Sequence, residues 1–181
     1  MEDRRRYSDR RRVDREHGAN ALLYAIFSCG EYHFAVAKDH VLAISALPAI
    51  VPMPFSRSWF SGVASIHGYI ASITDLSEFL EMPAALRQES SRVLLFKHGS
   101  DHFGLIVDAV HGVIECQPCE RPRSFYPLDI EQYMRGQRCA DGECYDEFDV
   151  YKLFAEERFL DAVDDTLMAQ PAGSTQDLSA L

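Results

Sequence analysis

The sequence predicts a mainly β protein built from two related modules, with a helix at its C-terminal end, and three observations carry this. Short apolar or alternating runs are separated by turns rich in Gly, Asp, His and Ser, the signature of hairpins. One strand and turn order recurs 69 residues later. Of the 181 residues, 47% are hydrophobic, enough to fill one sizeable core or two small ones in contact.

The first module begins with the unbroken apolar run Leu22 to Phe27. The turn residues Ser28-Cys29-Gly30-Glu31 follow, and then Tyr32, Phe34 and Val36 alternate with His33, Ala35 and Ala37, which reads as a β-hairpin. A third short strand, Val41 to Ile44, comes after the polar Lys38-Asp39-His40. In the second module Val93 to Phe96 is the apolar run, His98-Gly99-Ser100-Asp101 the turn, and Phe103 to Val107 and Val110 to Ile114 the next two strands. Phe27, Gly30, Phe34, Val36, Asp39, Val41 and Ile44 each lie 69 residues before Phe96, Gly99, Phe103, Leu105, Asp108, Val110 and Val113. Matched apolar positions with matched turn residues argue for a duplicated supersecondary unit.

Between the modules, Leu47 to Pro54 holds three prolines, which suit an extended connector and neither a central strand nor a helix interior. Trp59 to Ala64 leads through Ser65-Ile66 to His67-Gly68 and then to Ile70 to Ile73, a second hairpin type that ends at Asp75. Ser77 to Leu80 reads as a helical turn stopped near Pro83, and Ala84 to Ser90 as a polar link. Pro127 to Met134 suits a short helix with Pro in its first turn. Leu153, Phe159, Leu160, Val163 and Leu167 fall on one helical face, predicting a helix over Lys152 to Met168. Residues 1–19 form a disordered Arg-rich leader in this reading, 20–168 a folded domain with halves at 20–90 and 91–155, and 169–181 a disordered tail.

The formal net charge is −10, and the Arg residues of the leader are interleaved with Asp3, Asp9, Asp14 and Glu16, so the body is strongly acidic. Phosphate neutralisation supplies most nucleic-acid affinity, so a nucleic-acid partner is not expected. No run approaches the roughly 18 apolar residues of a membrane span, and the N-terminus lacks an apolar signal region, so a cytoplasmic location without membrane insertion is expected. Neither a phosphate-cradling glycine loop nor a nucleophile elbow occurs. Ser65, His67 and Asp75 lie close in sequence without a triad's orienting geometry, and His98 and His102 flank a hairpin turn rather than a helix turn. Asp75 and Asp108 each close a strand and cap the turn after it. No enzymatic role and no cofactor is expected. Trp59, with Phe55 and Phe60, is either an interface cluster or part of a core.

Five cysteines in a chain without an export signal argue against a disulfide framework. Cys116-Gln117-Pro118-Cys119, followed after 19 residues by Cys139 and Cys144, approximates a four-thiolate zinc ribbon. The second pair encloses four residues instead of two, so ordinary reduced thiols and no metal is the favoured reading. The alternative is a divergent scaffold or regulatory interaction protein with structural zinc on Cys116, Cys119, Cys139 and Cys144.

One ordered set of residues is more specific. Leu22, Phe27 and Gly30, Val41 and Ile44, Pro52, Gly62-Val63 with Ile66 and Gly68, Asp75-Leu76, Gly104 with Val107-Asp108 and Val110, and Asp149 with Lys152-Leu153 resemble the CheW-like chemotaxis coupling proteins. The resemblance spans Leu22 to Phe154. It implies two five-stranded SH3-like β-barrels related by pseudo-two-fold symmetry about a hydrophobic interface. It also implies a non-enzymatic adaptor joining the cytoplasmic tip of a chemoreceptor to the regulatory domain of a histidine autokinase, recruited to membrane-associated receptor arrays. By motif position, Val41, Ala43, Ile44, Ser65, His67 and Gly68 are the candidate receptor and kinase contacts. The family motif reads roughly Asn-x-Arg-Gly with a Pro four residues on, where this chain has Ser65, His67, Gly68 and Ser72. The Glu common two places after Val41 is Ala43. His in place of Arg removes a permanently charged five-donor fork. Trp59-Phe60-x-Gly62-x-Ala64 and Ser72 are closer to the branch that serves type IV pilus twitching.

Overall fold

The computed structural model describes residues 22–83, 88–119 and 126–164, so the leader at 1–19, the tail at 169–181 and residues 84–87 of the polar link lie outside it. Ten strands run in chain order: β1 (Leu22–Cys29), β2 (Tyr32–Ala37), β3 (Val41–Ala46), β4 (Phe60–Ile66), β5 (Tyr69–Asp75), β6 (Arg92–His98), β7 (Asp101–Val107), β8 (Ala109–Cys119), β9 (Met134–Ala140) and β10 (Glu143–Phe148). Among the described residues, four short α-helices, α1 (Leu76–Phe79), α2 (Leu128–Glu131), α3 (Val150–Phe154) and α4 (Glu157–Leu160), and the 3-10 turn Lys38–His40 accompany them. The expected hairpins form, with Phe27 opposite Phe34, Phe96 opposite Phe103 and Ser65 opposite Ile70. The β9–β10 hairpin is an addition to that set, and β8 runs five residues past its expected end at Ile114.

The strands make two five-stranded barrels of one topology. The first closes in the order β1-β2-β10-β9-β8, and the second runs β3-β6-β7-β5-β4. Replacing each strand by its partner five places along the series converts one order into the other, which is the expected pseudo-two-fold relation. The barrels are not the contiguous halves 20–90 and 91–155. β3 leaves its hairpin to pair with β6, and β8 leaves its own to pair with β1. Both outer edges of each hairpin are held by strands from elsewhere: β10 lies parallel on β2 and β8 antiparallel on β1, while β5 lies parallel on β7 and β3 antiparallel on β6.

Alternation along the strands divides the apolar side chains among three cores. Tyr24, Ile26, Ala35 and Cys116 fill the first barrel, and Ala64, Ile66, Ala71, Ile73, Val93, Leu95 and Ile106 fill the second. A larger, aromatic-rich core draws on both sheets and on the helices, including Phe27, Phe34, Trp59, Phe79, Phe96, Phe148, Phe154 and Phe159. Burying such rings contributes roughly 1.5–3 kcal/mol each, so the two barrels are stabilised chiefly against one another.

The expected helix over Lys152 to Met168 is instead α3 and α4, interrupted at Glu156, whose ψ is 128°. Past Leu160 the backbone is claimed by other partners. Arg57 N–H donates to Ala162 O at 2.9 Å, and Asp164 N–H donates to Phe55 O at 2.8 Å. Residues 165–168 lie outside the described residues.

Candidate functional site

β4 and β5 alternate as half-buried strands do: Gly62, Ala64, Ile66, Ala71 and Ile73 face the second barrel's core, while Ser65 and Ile70 form an exposed cross-strand pair. Their turn is His67-Gly68, with φ of 50° and 86°. Positive φ at both central residues is the two-residue hairpin turn that matches strand twist, and His is among the few non-glycine residues enriched there. Both turn residues are exposed. Tyr69, beside them, packs at a tilt of 30° against His102 with ring centroids 4.6 Å apart.

Gly62 explains how the connector is held. Val51 and Val63 exchange backbone hydrogen bonds of 2.8 and 2.9 Å, and a Cβ on Gly62 would stand 2.1 Å from Val51 O. Leu47 and Ile50 of the connector pack against the second barrel's core beside Ala43.

The six motif-derived residues lie on two elements. Ser65, His67 and Gly68 sit at the tip of β4–β5, whereas Val41, Ala43 and Ile44 lie on β3, the opposite terminal strand in the sheet order. Val41 is only 4% exposed and turns into the central core. Ala43 packs on the second barrel's core and Ile44 on the central one, each half-buried, and the large exposed apolar residue of β3 is Leu42. Position in a motif does not reveal which face each residue takes, because a register irregularity between Val41 and Ala43 breaks the simple alternation.

Trp59 belongs to the core. It lies parallel to Phe159 at 6.1 Å and edge-on to Phe79 at 5.2 Å, while Phe55 alone of the three aromatics is exposed. Asp75 caps α1, its Oδ1 accepting from Glu78 N–H at 3.2 Å. Asp108 does something else: its Oδ2 accepts from Gly30 N–H at 2.7 Å, tying the start of β8 to the β1–β2 turn. His98 and His102 flank a hairpin turn as expected.

The four cysteines of the expected zinc ribbon divide three against one. Cys119, Cys139 and Cys144 converge on one face of β8, β9 and β10. Cys116 is buried inside the first barrel, where desolvation pushes its thiol pKa up, so the four-thiolate ribbon is not formed. Strand alternation separates Cys116 from Cys119, since three residues apart on a strand means opposite faces. Cys29 is also buried, its Sγ 3.1 Å from Ser77 Oγ, and burial pushes its pKa up to about 12.

The architecture and the motif residues agree with a comparison over most of the chain: residues 23–158 match the CheW-like domain family. The chain belongs to that family. No curated protein matches it. Among solved structures it is similar to the scaffolding protein TtCheW from Thermoanaerobacter tengcongensis, at 20% identity, a TM-score of 0.63, and coverage of 76% of this chain and 94% of that one. Several of the CheW-like residues in this chain have structural tasks. Gly104 admits Ile73 Cδ1 and Val93 Cγ1, which would stand 2.6 and 2.9 Å from a Cβ. Asp149 caps α3, its Oδ1 accepting from Tyr151 and Lys152 N–H at 3.1 Å each, and Leu153 beneath is fully buried. Among the CheW-like residues, Gly68 of the β4–β5 turn is exposed beside His67, and so are Leu22, Gly30, Pro52 and Lys152.

Proposed function

We propose that the chain is a non-enzymatic signalling adaptor linking the cytoplasmic tip of a chemoreceptor to the regulatory domain of a histidine autokinase, in chemotaxis or in type IV pilus-driven motility. The observation that carries this reading is the CheW-like match over residues 23–158. The similar solved protein is described as a scaffold. An adaptor needs two binding surfaces on one folded unit, so that occupancy of one biases the other. The shared central core supplies that unity.

One surface in this reading is the β4–β5 tip, where Ser65, His67 and Gly68 adjoin Tyr69 and Ile70, 42% and 70% exposed. Polar groups around apolar anchors suit a transient protein interface. The other is β3, presenting Leu42 beside half-buried Ala43 and Ile44, with Val41 anchoring the strand from within. No helix among the described residues is long and apolar enough to cross a membrane, and in this reading the protein is cytoplasmic and reaches receptor arrays through its partners.

Isothermal titration of the full chain against receptor cytoplasmic hairpins and kinase regulatory domains from the chemotaxis and pilus systems of one genome tests the proposal. Binding of at least one receptor and one kinase is expected. Ile70→Glu weakens one partner about tenfold or more, and Leu42→Glu weakens the other. Absence of binding to every partner by the folded wild-type chain overturns the reading. The partner set that binds decides between swimming and twitching.

A further inference from the structure

Cys119, Cys139 and Cys144 occupy neighbouring places on the outer wall of the first barrel. Cys139 is directly opposite Cys144 across the β9–β10 pair and opposite Gln117 across the β8–β9 pair. Cys119 is opposite Gln137, one place along the same face. The Sγ of Cys139 lies against both other sulfurs, those of Cys119 and Cys144 are 3.6 Å apart, and all three fall within 4.8 Å of one another. A sulfur makes one disulfide bond at a time, so any disulfide leaves one of the three outside the bond. A thiophilic cation engages all three at once.

A carboxylate lies on the same wall, outside the group of ligand atoms within 4.8 Å of one another. Asp146, directly opposite Gln137, is 2% exposed, and its Oδ1 has no hydrogen-bond partner although Oδ2 accepts from Tyr126 O–H at 2.5 Å. The proposal rests on the three sulfurs, and Asp146 is not one of its ligands. The other two cysteines are buried elsewhere, Cys116 inside the barrel and Cys29 against Ser77.

We infer that Cys119, Cys139 and Cys144 bind one thiophilic divalent cation of the zinc class as thiolates, fastening β8, β9 and β10 together. Each thiol gives up its proton to solvent as its sulfur takes the metal, and no oxidant enters. Three thiolates leave a fourth place for water or for an oxygen donor of the same face. The consequence is local: among the described residues β8 pairs with β9 through Gln117–Cys139, Pro118–Arg138 and Cys119–Gln137, and the metal sits on that seam. The inference does not depend on the adaptor reading, and partner binding by metal-free protein bears on that reading alone.

The test uses the full-length protein, reduced and stripped of metal under anaerobic conditions, then titrated with zinc against a chromophoric chelator and separately with cobalt. One equivalent per chain, a sulfur-to-cobalt charge-transfer band of three-thiolate intensity, and zinc protection of three of the five cysteines from alkylation are expected. Cys139→Ser lowers affinity more than about 100-fold, since even outer-shell changes at metal sites cost 10–100-fold, and Cys116→Ser leaves it unchanged. Should Cys139→Ser fail to fold, mapping the protected cysteines in the wild-type chain decides alone. Substoichiometric zinc, protection of Cys29 or Cys116, or isolation of the protein with Cys139 in a disulfide and no metal overturns the inference.

Discussion

The two barrels share a strand order and differ at one seam. In the first, β8 and β9 pair and close the ring. In the second, the matching strands β3 and β4 do not pair, and the connector bridges Val51 to Val63 instead. A duplicated fold therefore tolerates two solutions for one exposed edge: ladder closure with three cysteines on it, or an extended cover whose prolines cannot extend the ladder. The interiors differ too. The second core is apolar, whereas the first takes in the Arg138–Glu147 ion pair at 2.6 Å, with the Arg138 guanidinium 5.2 Å from the Tyr24 ring centre.

The sharpest way to break the comparison is a matched glycine pair. Gly62 and Gly136 are the third residues of β4 and β9 and sit beside equivalent register irregularities, but a Cβ meets Val51 backbone at Gly62 and open space at Gly136. Gly62→Ala is expected to cost more than about 4 kcal/mol and to free the connector, while Gly136→Ala stays within about 1 kcal/mol. Urea denaturation of both variants checks this, and equal losses would mean the connector is not what holds the open edge. Next in size, Arg138→Met should destabilise by about 2–4 kcal/mol, because Glu147 stays buried without its partner, and the further change Glu147→Leu should recover most of the loss.

A pH effect arises from Cys29, whose counterpart 69 residues on is the exposed His98. Burial raises the Cys29 pKa from 9.0 to about 12, so the fold favours the protonated thiol. That stability is fully present below pH 9 and is lost as pH rises through the window from 9 to 12. Between pH 8 and 10 the wild type should lose about 1.4 kcal/mol more than Cys29→Ala does, measured from urea midpoints. Smallest is His67→Asn. The turns His67-Gly68 and Asp141-Gly142 both have positive φ at both residues, and Asn suits that conformation, so a gain of a few tenths of a kcal/mol is expected. Partner affinity measured on the same variant separates the turn's shape from the imidazole's contacts.

How much of the fold is legible in the residues depends on how local the cause is. The hairpins around Gly30, Gly99 and His67-Gly68 are legible because turn residues and alternation lie next to one another in sequence. The β9–β10 hairpin is hidden because Arg135, Gln137, Arg138, Asp146 and Glu147 put polar groups on both faces and mask the two-residue period. Its Asp141-Gly142 turn is the available signal. The C-terminal spacing of Leu153, Phe159 and Leu160 marks an amphipathic segment, but the helix stops where Phe55 and Arg57 take the backbone groups of Asp164 and Ala162. At the candidate site the β4–β5 turn is legible as an exposed feature, while motif position does not reveal that Val41 is buried.

The amino-acid sequence by itself determined the duplicated unit, the positions of its turns, the acidic body and the CheW-like membership, since these rest on neighbouring residues and their spacing. Only the tertiary structure decided that β3 and β8 change places, that one barrel closes and the other is covered, and that three of five sulfurs meet. Those outcomes depend on which strand edges remain free after the hairpins form, and an edge is occupied by residues up to about a hundred positions away.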